Sequence, residues 1–271
     1  MDFDNKRILL TGATGGIGIA IAKQLAARGA YLTLVGRDQG KLQRLADDLI
    51  TDTESGKSHS PVIVPADINT QAGRARVAAA SELHGIDALI NTAGVQAFGL
   101  FENQTETQIS DVINVNLTAT ILLTQTLLPL LYRSAQATIV NIGSTFGSIG
   151  HPGFVAYCAS KFGLRGFTEA LRRELSDSDI CVHYLAPRAT RTTMNSDRVN
   201  LMNDALGNAM DDPDEVARAV IAVLQKPHGQ RRFLGWPEKL LVKINGLFPG
   251  IVDRALGKQL PTIRQFACMD K

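Results

Sequence analysis

Short apolar runs alternate along the chain with longer stretches in which apolar residues return every third or fourth position. The runs Arg7–Thr11, Tyr31–Val35, Val62–Val64, Ala88–Ile90, Ala137–Ile142, Ile180–Leu185 and Arg231–Leu234 have the length and content of buried strands. Between them, Ile19–Arg28, Gln39–Ile50, Gln71–Leu83, Thr105–Arg133, the stretch around Tyr157 to Leu175 and Pro213–Gln225 carry the helical period. Thr51–Ser60, rich in Ser, Thr and Gly, predicts an exposed loop. Met194–Met210 follows an irregular stretch and reads as a mobile segment. Strand and helix alternate with no second domain and no repeat beyond the β-α unit. Right-handed crossovers then give an α/β fold with a doubly wound parallel sheet between two helical layers.

The first strand runs into Gly12-Ala-Thr-Gly-Gly16-Ile-Gly18 and then a helix. Strand, glycine turn and helix form the context in which such glycines bind a dinucleotide. Gly12 permits the tight turn, Gly16 lets backbone approach a pyrophosphate, and Gly18 allows close helix packing. The second strand ends at Gly36-Arg37-Asp38. A carboxylate there would bind the ribose 2′-hydroxyl of NAD, whereas an arginine suits the 2′-phosphate of NADP. Arg37 favours NADP(H) over NAD(H), with Asp38 capping the next helix. Asp67 and Asn91-Thr-Ala-Gly94 stand at the carboxyl ends of later strands, where open parallel sheets bind ligands.

Tyr157 and Lys161 lie four residues apart, which stacks them on one helix face with Cβ atoms about 6 Å apart. An ammonium beside a phenol favours the phenolate and draws its pKa toward neutrality, making an acid/base pair for a carbonyl or alcohol. Ser144 ends the fifth strand and is either a turn residue or a donor to a substrate carbonyl. Asn116 interrupts the long helix as a weak helix former, so it is either on the surface or a functional hydrogen-bonder.

Composition narrows the classes. The 271 residues are 45% hydrophobic and 20% charged with a net charge of +2, which suits an ordinary soluble globular chain and disfavours nucleic acid as a partner. The polar N-terminus is no secretory signal, and no apolar run reaches the roughly 18 residues of a spanning helix. Cys158, Cys181 and Cys268 have no paired spacing, so neither a disulfide framework nor a metal site is indicated and a cytoplasmic location fits.

Thr11-Gly-x-x-x-Gly-Ile-Gly18, Asn91-Thr-Ala-Gly94, Asn116, Ser144 and Tyr157-x-x-x-Lys161, in this order, resemble the short-chain dehydrogenase/reductase family over roughly residues 5 to 235. The resemblance implies a Rossmann-type domain over 1–235, with 236–271 as an extension of it. It implies hydride transfer between NAD(P) and a carbonyl or alcohol. Tyr157 is then the acid/base, Lys161 its modulator and a ribose ligand, Ser144 the orienter of the carbonyl, and Asn116 the support of a relay water. Cofactor contacts would fall on Gly12, Thr14, Gly16, Ile17, Gly18, Arg37, Asp67, Asn91, Ala93, Gly94, Tyr157, Lys161, Pro187, Thr190 and Thr192. A homodimer or homotetramer through the two long helices is implied as well. The chain departs from the family pattern in Asn91-Thr92, in Gly15 where many NADP-dependent members are basic, and in Pro187-Arg188 where Pro-Gly is usual. An arginine at that turn is expected to reshape the pocket entrance.

Beyond Trp236, Leu240, Leu241, Ile244, Leu247 and Phe248 share one helical face, and Ile251, Val252, Ala255 and Leu256 share another. Lys239, Lys243, Arg254 and Lys258 sit among them. These faces serve core or subunit packing, or form a lid or peripheral membrane contact for a lipid-like substrate. Two functions of different class remain: a reductase of a small-molecule ketone, with a hydrophobic or acyl-chain keto compound among the candidates, and a nucleotide-binding redox sensor without turnover. A sensor has no need of the phenol, which favours the enzyme.

Overall fold

A computed structural model describes residues 3–51 and 59–268. The loop expected over Thr51–Ser60 lies outside the described residues except at its ends. Seven strands, β1 (Arg7–Thr11), β2 (Tyr31–Gly36), β3 (Val62–Pro65), β4 (Ala88–Asn91), β5 (Ala137–Ile142), β6 (Ile180–Ala186) and β7 (Arg231–Phe233), form one sheet. Their order is β3-β2-β1-β4-β5-β6-β7 and every pairing is parallel.

The continuous apolar runs follow from burial on both faces of such a sheet. On β1, Ile8 and Leu10 enter one core with α1 (Gly16–Ala26), α2 (Gln39–Thr51) and α8 (Pro213–Leu224). Leu9, between them, enters the opposite core with α3 (Gln71–His84) and α5 (Ala119–Leu131). The period of two thus assigns neighbouring residues to different layers. The chain winds outward from β1 to β3, then returns to place β4 on the other side of β1. That reversal opens a crevice at the carboxyl ends of β1 and β4, where ligands bind in this class of sheet.

The helix expected over Thr105–Arg133 is present but not uniform. α4 (Glu106–Ile113) and α5 are joined by a π turn, Asn114–Thr118, that contains Asn116. Glu106–Leu131 has the length and a mean hydropathy of 1.3 that a membrane span would show. Leu123, Leu127 and Leu131 are fully buried against the sheet, however, so it is a core helix. The segment expected to be mobile contains α7 (Asp197–Ala205), capped by the Ser196 hydroxyl, which accepts from the Val199 N–H at 3.4 Å. Val199 and Met202, three apart on one helix face, pack against Phe154 and Ile263. The last two helices are α9 (Glu238–Leu247) and α10 (Pro249–Ala267).

Candidate active site

Four strand ends converge on a cavity of about 680 Å³. Its nucleotide end is made of backbone. Gly12 adopts φ +63°, and a Cβ there would meet the Ala93 nitrogen at 2.7 Å, so the β1 and β4 exits touch at the crevice. α1 starts at Gly16, earlier than the expected Ile19. Its cap is Gly15 and its first turn carries no acidic residue, so the leading amides face the cavity with no side-chain acceptor of their own. A Cβ on Gly16 would lie 2.9 Å from Thr192 Cγ2. A bare amide cradle facing a threonine fits a diphosphate.

The polar end lies under α6 (Val155–Glu174). Lys161 is 5% exposed, and its Nζ donates to the Ile142 carbonyl at 3.0 Å while standing 5.7 Å from the Tyr157 ring centroid. Burial pushes its pKa down to about 8. Tyr157 shifts upward, because desolvation outweighs a side-chain hydrogen bond with Ser144. The expected lowering by Lys161 is therefore not the net effect in this arrangement. The ammonium is committed to a main-chain carbonyl, and burial of the phenol dominates.

Asn116 is fully buried and engaged on three sides. Its Oδ1 accepts the Val95 N–H at 2.8 Å, and its Nδ2 donates to the Val95 carbonyl at 2.9 Å and to Ser160 Oγ at 3.0 Å. Ser160 in turn donates to the Tyr157 carbonyl at 2.7 Å. The π turn thus presents an asparagine that ties the β4 exit to the helix bearing Tyr157 and Lys161.

Of the residues singled out in the sequence, Gly12, Gly16, Ile17, Gly18 and Gly94 line the cavity at its nucleotide end. Thr192 lies against Gly16 at that same end, Pro187 and Thr190 line the cavity close by, and Ser144, Tyr157 and Lys161 line its polar end. Arg37 and Asp67 border an adjoining cavity of about 420 Å³ that shares Val95, Gln96 and Met194 with the first. Asp38 accepts the Lys41 N–H at 2.9 Å, as a cap does. Thr14 lies beside Gly36 at the end of β2. Asn91 and Ala93 stand behind the wall: the Asn91 amide donates to Asn141 at 2.9 Å and Thr124 at 3.3 Å, holding the sheet together.

The far wall was legible only in its roof, where the tail faces read as packing or as a lid border the cavity. Phe146, Ile149, His151 and Phe154 line it beside Met202, and α9 and α10 close it with Leu241, Ile244, Val252 and Leu256. Arg188 braces that roof. It bonds Asp211 through Nε at 2.7 Å and Nη2 at 2.6 Å, donates to the Trp236 carbonyl at 3.3 Å, and stands 3.6 Å from Glu238. Its departure from the family pattern was the available signal, while its partners are distant in sequence.

The family model described as short chain dehydrogenase matches residues 6–202. Nodulation protein G of Rhizobium sp. (strain N33) is 35% identical over 201 residues, 73% of this chain and 78% of its own length. Ketoacyl reductase HetN of Nostoc sp. is 33% identical over 258 residues, 92% of this chain and 87% of its own, a match that must reach into the tail helices. The solved 3-ketoacyl-(acyl-carrier-protein) reductase from Brucella melitensis, complexed with NADH, superposes with a TM-score of 0.77 at 27% identity. That superposition covers 87% of this chain and 99% of the other.

Proposed function

The chain belongs to the short-chain dehydrogenase family, and from that premise we propose that it is an NADPH-dependent reductase of ketones bearing an apolar chain. The observation that carries this reading is one cavity bordered at once by the glycine cradle, by Ser144, Tyr157 and Lys161, and by an apolar far wall. A nicotinamide cofactor, when bound, supplies the hydride that the carbonyl carbon receives. The amides of α1 and Thr192 hold its diphosphate. Arg37, exposed at the end of β2 while Asp38 is occupied as a cap, meets the 2′-phosphate.

Tyr157 gives its hydroxyl proton to the carbonyl oxygen as the ketone becomes an alcohol. Its raised pKa keeps the phenol protonated at neutral pH, the form a proton donor needs. Lys161, with a pKa of about 8, is still mostly cationic there and stabilises the phenolate left behind. Ser144 hydrogen-bonds the same oxygen and orients it. The named ketoacyl reductases among its relatives support the choice of substrate. We extend the proposal to a cytoplasmic homo-oligomer joined through α4–α5 and α6, where Val155 and Phe162 are exposed. The unpaired thiols suit a reducing compartment.

Following NADPH or NADH oxidation across ketones of increasing chain length tests the reading. Turnover should favour NADPH and the longer chains. Absence of turnover with both cofactors across the whole series would overturn it.

A further inference from the structure

His151 stands in the far wall, 9% exposed, in a part of the cavity otherwise made by Phe146, Ile149, Phe154 and Met202. Its Nδ1 lies 2.8 Å from the Pro152 carbonyl oxygen. A carbonyl only accepts, so Nδ1 carries the proton, and a neutral imidazole then bears its lone pair on Nε2. Neutrality is favoured because burial lowers the pKa of this ring. The ring is also fixed in place. It stacks on Phe146 with centroids 4.7 Å apart and meets Phe154 edge-on at 5.8 Å, while its main-chain N–H donates to Cys158 Sγ at 3.3 Å.

Nε2 has no hydrogen-bond partner among the described residues, yet unlike Nε2 of His183 it is not sealed away unpartnered inside the protein. His151 lines the cavity, and Nε2 is the ring atom left to meet a ligand there. We propose that His151 Nε2 is a specificity-determining acceptor that takes a hydrogen bond from an O–H or N–H group on the chain of the keto substrate. The proposal rests on the reductase reading and deepens it, since it adds a polar requirement to a wall that is otherwise apolar. An acceptor fixed in such a wall discriminates strongly, because a substrate lacking the donor desolvates Nε2 without replacing its bond to water.

The test uses straight-chain ketones of one length with a hydroxyl at successive carbons from the carbonyl, each beside its deoxy counterpart. Both kcat/KM and calorimetric affinity are measured, the latter with no cofactor present so that neither the carbonyl nor the added hydroxyl can react. The wild type should prefer at least one hydroxy ketone by roughly 5- to 100-fold. His151→Phe, which keeps a stacked ring, should erase that preference, so that the hydroxy and deoxy members of each pair are handled alike. His151→Gln, whose amide oxygen accepts, should restore part of it. No preference anywhere in the wild-type panel, a preference that survives in His151→Phe, or an equal loss for both members of a pair overturns the proposal. The wild-type panel decides even if His151→Phe fails to fold. Absence of turnover with every ketone would instead strike the reductase reading, and the calorimetric pairs would still judge His151.

Discussion

Beneath the cavity, Asn116 and Ser160 are fully buried, Lys161 is 5% exposed, and all three are hydrogen-bonded to main-chain carbonyls around Tyr157. Above it, α9 and α10 leave Leu247 74% and Phe248 62% exposed, and one arginine braces their start. The floor holds each polar atom in a single geometry, as proton transfer demands. The roof offers apolar area and shape, which can be satisfied by many side chains. On the proposed function, chemistry and selectivity then fall in regions with different tolerance to change, and substitution can separate them.

The largest effect should come from the floor. Tyr157→Phe removes only the proton donor, so ketone reduction should fall by roughly 10²–10⁴-fold while NADPH binding changes little. Activity within a factor of about ten of wild type would move the acid elsewhere. At the nucleotide end, Arg37→Ala should weaken NADPH by on the order of 10- to 100-fold and NADH hardly at all, as expected for a lost charge-assisted contact. Equal losses for the two cofactors would refute the 2′-phosphate role.

The roof should respond more gently and more selectively. Truncating the whole tail would strip Ile263 from beneath Phe154 and Met202, so point changes are cleaner. Leu241→Ser with Ile244→Ser should raise KM for long-chain ketones by roughly tenfold and leave short ones unchanged, at about 0.8 kcal/mol per methylene no longer buried. Parallel losses for both classes would mean that α9 supports folding rather than substrate.

The nucleotide end and the Tyr157–Lys161 pair were legible because the chemistry expected of them fixes residue type and spacing. Gly12 needs a positive φ, Asp38 needs a main-chain amide three residues on, and Tyr157 needs a partner one turn away. Asn116 was either on the surface or a functional hydrogen-bonder, and the fold excludes the surface by burying it among three hydrogen bonds. Its partners Val95 and Ser160 come from separate elements, and the local sequence does not encode a π turn. Asn91 appeared as a cofactor contact because it ends a strand, but its side chain turns into the sheet toward Asn141. Tyr157 was expected to be acidified by Lys161, a judgement that depended on burial, which spacing does not report. In the roof, α7 was missed because Val199 and Met202 form too short a pattern to outweigh the irregular stretch before them. His151 lies in the same stretch as Tyr157, but its lone pair is assigned only once Pro152 folds back onto Nδ1.

Arg188 has a thermodynamic consequence. It leaves the β6 end between Pro187 and Thr190, which border the nucleotide side, and grips Asp211, whose main chain pairs with the same stretch. Through Glu238 it reaches the first residue of α9. A ligand that orders residues 187–192 and a ligand that draws the roof inward therefore act on one shared cluster. On the proposed reading, any coupling through this cluster is reciprocal: the factor by which cofactor tightened a long-chain substrate would be the factor by which that substrate tightened cofactor. With glycine at this position the two ends of the cavity would lose that shared contact, and each would bind its own ligand more nearly alone.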